Sequence, residues 1–255
     1  TKALLRNVIQ RWNPDLLVDL HTTNGTWHGN SLTYAPSYAT AGDASTSSYT
    51  SEVMLPALKQ SVKEKFSLDI DWYGGYDYRS WPPTELRTYN HAPRYLTNYM
   101  GLRNRMAILS ETFSHDRFYK RVHVANVFIE EILEYTHQHG RTIQQINHEA
   151  DRRVATTAIG QQNGVQFSMV PREEPLDLLT YRYIPYHKPD GSTDFVRSAE
   201  LVTIAGVLNY NRFESRQTAL VPSAYMFSAA FTGLAEKLQE HGIWVETLEA
   251  CLLYT

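Results

Sequence analysis

Residues 16–25 read LLVDLHTTNG: an apolar run, an acid, one leucine, a histidine, then small polar residues and a glycine. Apolar side chains on both faces predict a fully buried, parallel-type strand over 15–22. A second apolar run, MAILSETF at 106–113, stops in the same way on Glu111. In open α/β sheets, ligands bind outside the carboxyl ends of the strands. If these two strands are neighbours, His21 and Glu111 converge at one rim. A histidine and a carboxylate placed together can bind a metal and move protons. The alternative is plainer: His21 caps its strand and Glu111 pairs with a nearby arginine.

Around these two strands the pattern is α/β. Leu4, Leu5, Val8, Ile9 and Trp12 recur at helical spacing, and Asn13-Pro14 ends that helix. Residues 23–50 read as a long polar loop with a short strand at SLTYAP, and 51–65 as a helix. Residues 66–95 are dense in Tyr, Trp, Gly and Pro and read as an irregular, functional loop. A short helix is expected over 95–105. A longer one is expected over 117–139, with Val122, Val124, Val127, Phe128, Ile132 and Leu133 on its apolar face and Gly140 as its stop. Another follows from Thr142 to about Ala155. After residue 160 the texture changes to strands (QNGVQFSMV, TYRYIPYH, DFVRSAELVTIAGVLNY, RQTALVP) separated by turn signals such as Pro189-Asp190-Gly191. A helix over 224–240 and a strand at IWVETL close the chain. The expected architecture is a partial mixed sheet with flanking helices over 1–160, then a small β-rich domain with one helix over 161–255.

Composition narrows the function classes. The chain has 255 residues, 42% of them hydrophobic, enough for one large domain or one domain plus a smaller one. A formal net charge of -3 argues against nucleic-acid binding and against a polybasic membrane surface. No apolar stretch approaches the roughly 18–20 residues that span a bilayer. Cys251 is the only cysteine, so an intrachain disulfide and a cysteine metal cluster are both excluded. There is no Gly-x-Ser-x-Gly elbow and no phosphate-binding glycine loop. The chain opens on Thr1 in the middle of a helical pattern, which predicts a processed or incomplete polypeptide.

DLLVDLHTTNG, followed by LTYAP and by NYMGLRNRMAILSETFSH, resembles the zinc carboxypeptidases of the carboxypeptidase A-like (funnelin) group, in particular their bacterial relatives with an extra C-terminal domain. The resemblance covers about residues 1–135. It implies that His21, in Asp19-Leu20-His21, is the last ligand of one zinc ion, and that Glu111 is the general base. The 90-residue separation is slightly long for the family. Catalytic zinc in such enzymes takes two histidines, one glutamate and a water. The family's upstream His-x-x-Glu motif, which holds the other two ligands, is absent here. The resemblance therefore implies the C-terminal part of a zinc metallocarboxypeptidase, acting on peptide or related amide bonds and secreted or periplasmic by family habit. Its expected partners are a peptide substrate and a missing N-terminal segment. A non-catalytic peptide- or glycan-binding protein on a degenerate carboxypeptidase scaffold is the alternative.

Other residues follow from that reading. An exopeptidase must recognise a free carboxylate, which arginine does bidentately; Arg94 is the first candidate and Arg87 the second. For the family's mobile tyrosine, Tyr89 lies nearest the expected separation, with Tyr95 as a substitute. Thr22, Thr23 and Asn24 line the primary pocket or satisfy backbone groups. Asp19 reaches the same face as His21 only if the strand stays regular. His28 shares a metal with His21 or, by the plainer reading, bonds within its own loop. Glu134 and His137 are expected on a solvent face. His148-Glu149 lacks the second histidine of a zinc motif, because Arg152 stands there. Arg103 and Arg105 are expected on a helix surface or in ion pairs.

Overall fold

The computed structural model describes residues 2–23 and 25–248. It is an α/β protein with mixed sheets flanked by helices. In chain order its strands are β1 (Leu16–Thr23), β2 (Leu32–Pro36), β3 (Ile70–Trp72), β4 (Glu85–Arg87), β5 (Met106–Phe113), β6 (Gln162–Pro171), β7 (Leu176–His187) and β8 (Thr193–Leu220). The helices are α1 (Lys2–Leu4), α2 (Gln10–Trp12), α3 (Ala44–Ser48), α4 (Leu55–Phe66), α5 (Leu96–Leu102), α6 (Phe118–Thr157) and α7 (Thr232–Glu240). π-helical turns at Leu5–Ile9 and Tyr49–Met54 join α1 to α2 and α3 to α4.

The chain forms two compact units: Asp15–Leu220, and Thr1–Pro14 with Val221–Thr255. In the smaller unit, Lys2 pairs with Glu240 at 2.5 Å and the Gln10 side chain donates to the Glu240 carbonyl. Here α7 begins at Thr232, eight residues later than the pattern suggests, and IWVETL is not a strand. Cys251 lies outside the described residues.

The larger unit runs across residue 160 and holds two sheets. The first has the order β1-β5-β2-β3; β1 is parallel to β5, β2 antiparallel to β5, and β3 parallel to β2. One face carries the main core. Ile108, Leu32 and Tyr34 meet Leu55, Leu58 and Val62 of α4 and Val124, Val127, Phe128 and Ile132 of α6. The i, i+3, i+7 spacing on α4 gives the single apolar stripe that such a face needs. The expected apolar face of α6 is narrower than read from sequence, because Val122 and Leu133 are exposed.

Gly140 does not stop α6, which continues as one helix to Thr157. A glycine inside a helix costs about 1 kcal/mol, and packing beyond it outweighs that cost. Ile143, Asn147 and Ala150 are buried, Asn147 donates to the Asp15 carbonyl at 2.8 Å, and Arg153 clamps Asp43 at 2.8 and 3.0 Å. Asp43 also caps α3, and the Arg153 guanidinium holds its carboxyl down at about pKa 2. No described helix is long and apolar enough to cross a membrane.

The second sheet has the order β4-β8-β6, with β7 also paired to β8. The two strands expected after 193 are one long strand. Its first half pairs with β7 and its second half with β6, and Gly206 (φ 75°) falls at the register shift between Ile204 and Val207, a backbone conformation that glycine adopts freely. The 66–95 segment is less irregular than expected. It contains β3 and β4, and β4 joins β8 in parallel.

Candidate active site

The strands β1 and β5 are neighbours, and their register sets His21 directly against Glu111. Paired residues in a sheet project to one face, so both side chains lie on the same side. That face is opposite the helices. It is covered by aromatic residues around Tyr38, Leu109 and Phe213, with Tyr73 and Tyr89 packed against them. The strand ends are fastened by a 2.9 Å bond between the Thr22 and Thr112 hydroxyls and by Ser114 N–H donating to the Thr23 carbonyl. Asn24 lies outside the described residues. The strand stays regular through Asp19, whose Oδ1 sits 3.0 Å from His21 Nε2.

Glu111 is flanked by His21 on one side and Thr33 of β2 on the other, and only 8% of it is exposed. Its Oε2 is buried without a hydrogen-bond partner. Burial pushes its carboxyl up to about pKa 7; His21 opposes the shift, and the Asp19 charge adds to it. No arginine pairs with it among the described residues. A carboxylate poised near neutrality, with one oxygen free, is suited to accept and return a proton. Tyr73, which sequence reasoning missed, adjoins it. The Tyr73 hydroxyl contacts Thr23, and its pKa is raised by burial and then by the Glu111 charge. Nothing in the spacing of the 66–95 segment marks Tyr73 out from its many aromatic neighbours.

His21 is not where a buried strand would place it. β1 lies at the end of its sheet and is half-buried to exposed, with Leu20 and the His21 side chain both 52% exposed. The expectation of a fully buried strand is corrected: β5 covers one edge of β1, and no described strand covers the other.

The remaining candidates separate. Tyr89 lies in the aromatic cluster, with ring centroids 5.9 Å from Tyr73 and 4.6 Å from Tyr95, and its hydroxyl is tied to Thr97 at 2.8 Å. Arg94 is exposed and bonded to the Tyr95 hydroxyl at 2.9 Å, so it reaches the cluster through that ring. Arg87 is taken up by Glu85 and stacks on Tyr210. His28 is buried, bonded to the Gly74 carbonyl at 2.8 Å and stacked on Phe113. Glu134 and His137 are exposed, and Arg105 pairs with Asp151.

Among the described residues, no group of three or more His, Cys, Asp or Glu side chains could hold a metal ion. His21, Asp19 and Glu111 therefore do not by themselves fit a three-ligand zinc site. No family model, curated protein or solved structure matches the chain.

Proposed function

We propose that this chain contributes the general base and one metal ligand to a zinc metallocarboxypeptidase, its remaining ligands lying outside the described residues. The observation that carries this reading is the in-register pair at the ends of two parallel strands. Glu111 is buried, free at one oxygen and held near neutral pKa, and His21 stands beside it, open to solvent and steadied by Asp19. In this reading Glu111 takes a proton from water at the rim and returns it to the leaving amine. Burial favours the neutral form it must pass through. Arg94, set over Tyr95 at the edge of the same aromatic cluster, would receive the free carboxylate of the peptide, and Tyr89 would line its path.

Two measurements test the reading. The isolated 255-residue chain should hold well below one zinc per chain after mild dialysis. The longer product that contains its upstream segment should shorten a peptide with a free C-terminus and spare the amidated form. Glu111→Gln in that product should cut the rate by about 10²- to 10⁴-fold. An inactive longer product, or one indifferent to Glu111→Gln, overturns the reading. The lack of a three-ligand group among the described residues favours a second reading, a non-catalytic peptide- or glycan-binding protein on the same scaffold.

A further inference from the structure

A cleft of about 870 Å³ lies in the larger unit, within the size range of small-ligand sites. It is lined by Pro36–Tyr38 at the end of β2, by part of the α3 region, by the β6–β7 connection and by Asn209, Asn211, Arg212 and Phe213 of β8. Arg172 is its half-buried cation. The Arg172 guanidinium lies 4.3 Å from the centre of the Trp72 ring, and its Nε donates to Asn211 Oδ1 at 2.8 Å. That bond and that stack fix the plane of the fork. No described carboxylate is within ion-pair distance of Arg172, and no described hydrogen bond engages its Nη1 or Nη2. Two buried amides line the same wall, and both are incompletely bonded. Asn211 Nδ2 and Asn209 Oδ1 have no partner, although these residues are only 2% and 1% exposed.

Buried polar groups are ordinarily satisfied, so two orphans beside an unpaired guanidinium require a reason. A pre-oriented arginine fork matches a carboxylate bidentately. The cleft is not uniformly basic, however. Glu52, Glu173 and Glu174 also line it, and Arg212 is partly engaged by Glu173 and Glu214 at 3.9 and 3.6 Å. Glu52 and Glu174 are exposed, and neither is in a described ion pair. One anion-seeking group and a margin of acids call for a ligand carrying both charges.

We propose that this cleft binds a zwitterionic α-amino carboxylate, either a free amino acid or a short peptide, with its carboxylate on Arg172 and its ammonium toward Glu52 and Glu174. Trp72, Tyr38 and Phe213 would border its apolar part. Glu111 and His21 do not line this cleft, although Tyr38 and Phe213 border both places, and binding here does not depend on hydrolysis.

Calorimetric titration of the full chain at pH 7 tests this, with L-phenylalanine, Gly-Phe, N-acetyl-Gly-Phe and Gly-Phe amide as probes. Saturable binding of phenylalanine or of Gly-Phe is expected, and which of the two binds tighter distinguishes amino acid from peptide. Amidation or Arg172→Gln should weaken binding at least about 10-fold, the range of a hydrogen bond to a charged group. N-acetylation, or Glu52→Gln with Glu174→Gln, should weaken it several-fold. If Arg172→Gln melts early, Arg172→Lys keeps the charge, loses the fork, and should still weaken binding several-fold. No saturation by about 10 mM, equal binding of the amide, or indifference to both Arg172 variants overturns the proposal. Because heat of binding is the readout, failure of the hydrolytic reading leaves this result untouched.

Discussion

The strands β5 and β1 run side by side, residue against residue, with similar apolar sequences, and they have different fates. All of β5 is buried, while β1 exposes Leu20, His21 and Thr22. The difference comes from neighbours. β5 lies between β1 and β2, with α4 and α6 on one face and aromatic side chains on the other, whereas β1 ends the sheet. The candidate pair inherits this asymmetry. Glu111 gains its high pKa from the buried strand, and His21 gains its accessibility from the open one. An acid–base group needs the first environment and a ligand group needs the second, so one seam between unlike strands can serve both.

The contrast is most easily broken by truncation. Ile108→Ala on β5 should cost about 2–5 kcal/mol in urea unfolding, because a fully buried side chain leaves a cavity. Leu20→Ala on β1 should cost less than about 1 kcal/mol. Equal losses would mean that β1 is covered in solution.

A smaller effect sharpens the electrostatic side. The folded-state pKa of Glu111 is raised, so between about pH 4.5 and 7 the folded chain holds a proton that the unfolded chain has lost. Stability then falls as pH rises through that window, by up to about 3 kcal/mol. In chelator-treated buffer, Glu111→Gln should flatten this part of the profile and be more stable than wild type at pH 8. A slope that survives Glu111→Gln would assign it to another group.

The smallest expected effect is at His21. His21→Ala should change stability by no more than about 0.5 kcal/mol, as for other exposed positions. A loss above 1 kcal/mol in thermal unfolding would give the Asp19 contact a structural role.

Much of this seam was legible beforehand. The apolar runs placed β1 within a residue and β5 over its full span, and their polar ends pointed to His21 and Glu111. Burial of β1 was not legible, because a run of leucine and valine reads the same at the centre of a sheet and at its margin. Gly140 misled for a related reason. Its local cost is real, but buried Ile143, Asn147 and Ala150 lie beyond it and decide the matter. β3 and β4 are three residues each and owe their pairing to distant partners, so no periodicity announces them. Arg172 follows Pro171 with no motif around it. Its setting, stacked on Trp72 and bonded to Asn211 without an ion-pair partner among the described residues, exists only in three dimensions.

The length of β8 also bears on how the protein assembles itself. Its hairpin with β7 closes through Pro189-Asp190-Gly191, where Gly191 adopts φ 81°, and such local pairs form in microseconds. Its parallel pairing with β4 joins Glu85 to Leu208, more than a hundred residues apart, and must wait for a large loop to close. Half of one strand is thus an early product of folding and a short stretch of the same strand a late one. In pulse-labelled amide exchange, the hairpin should gain protection well before Glu85–Arg87.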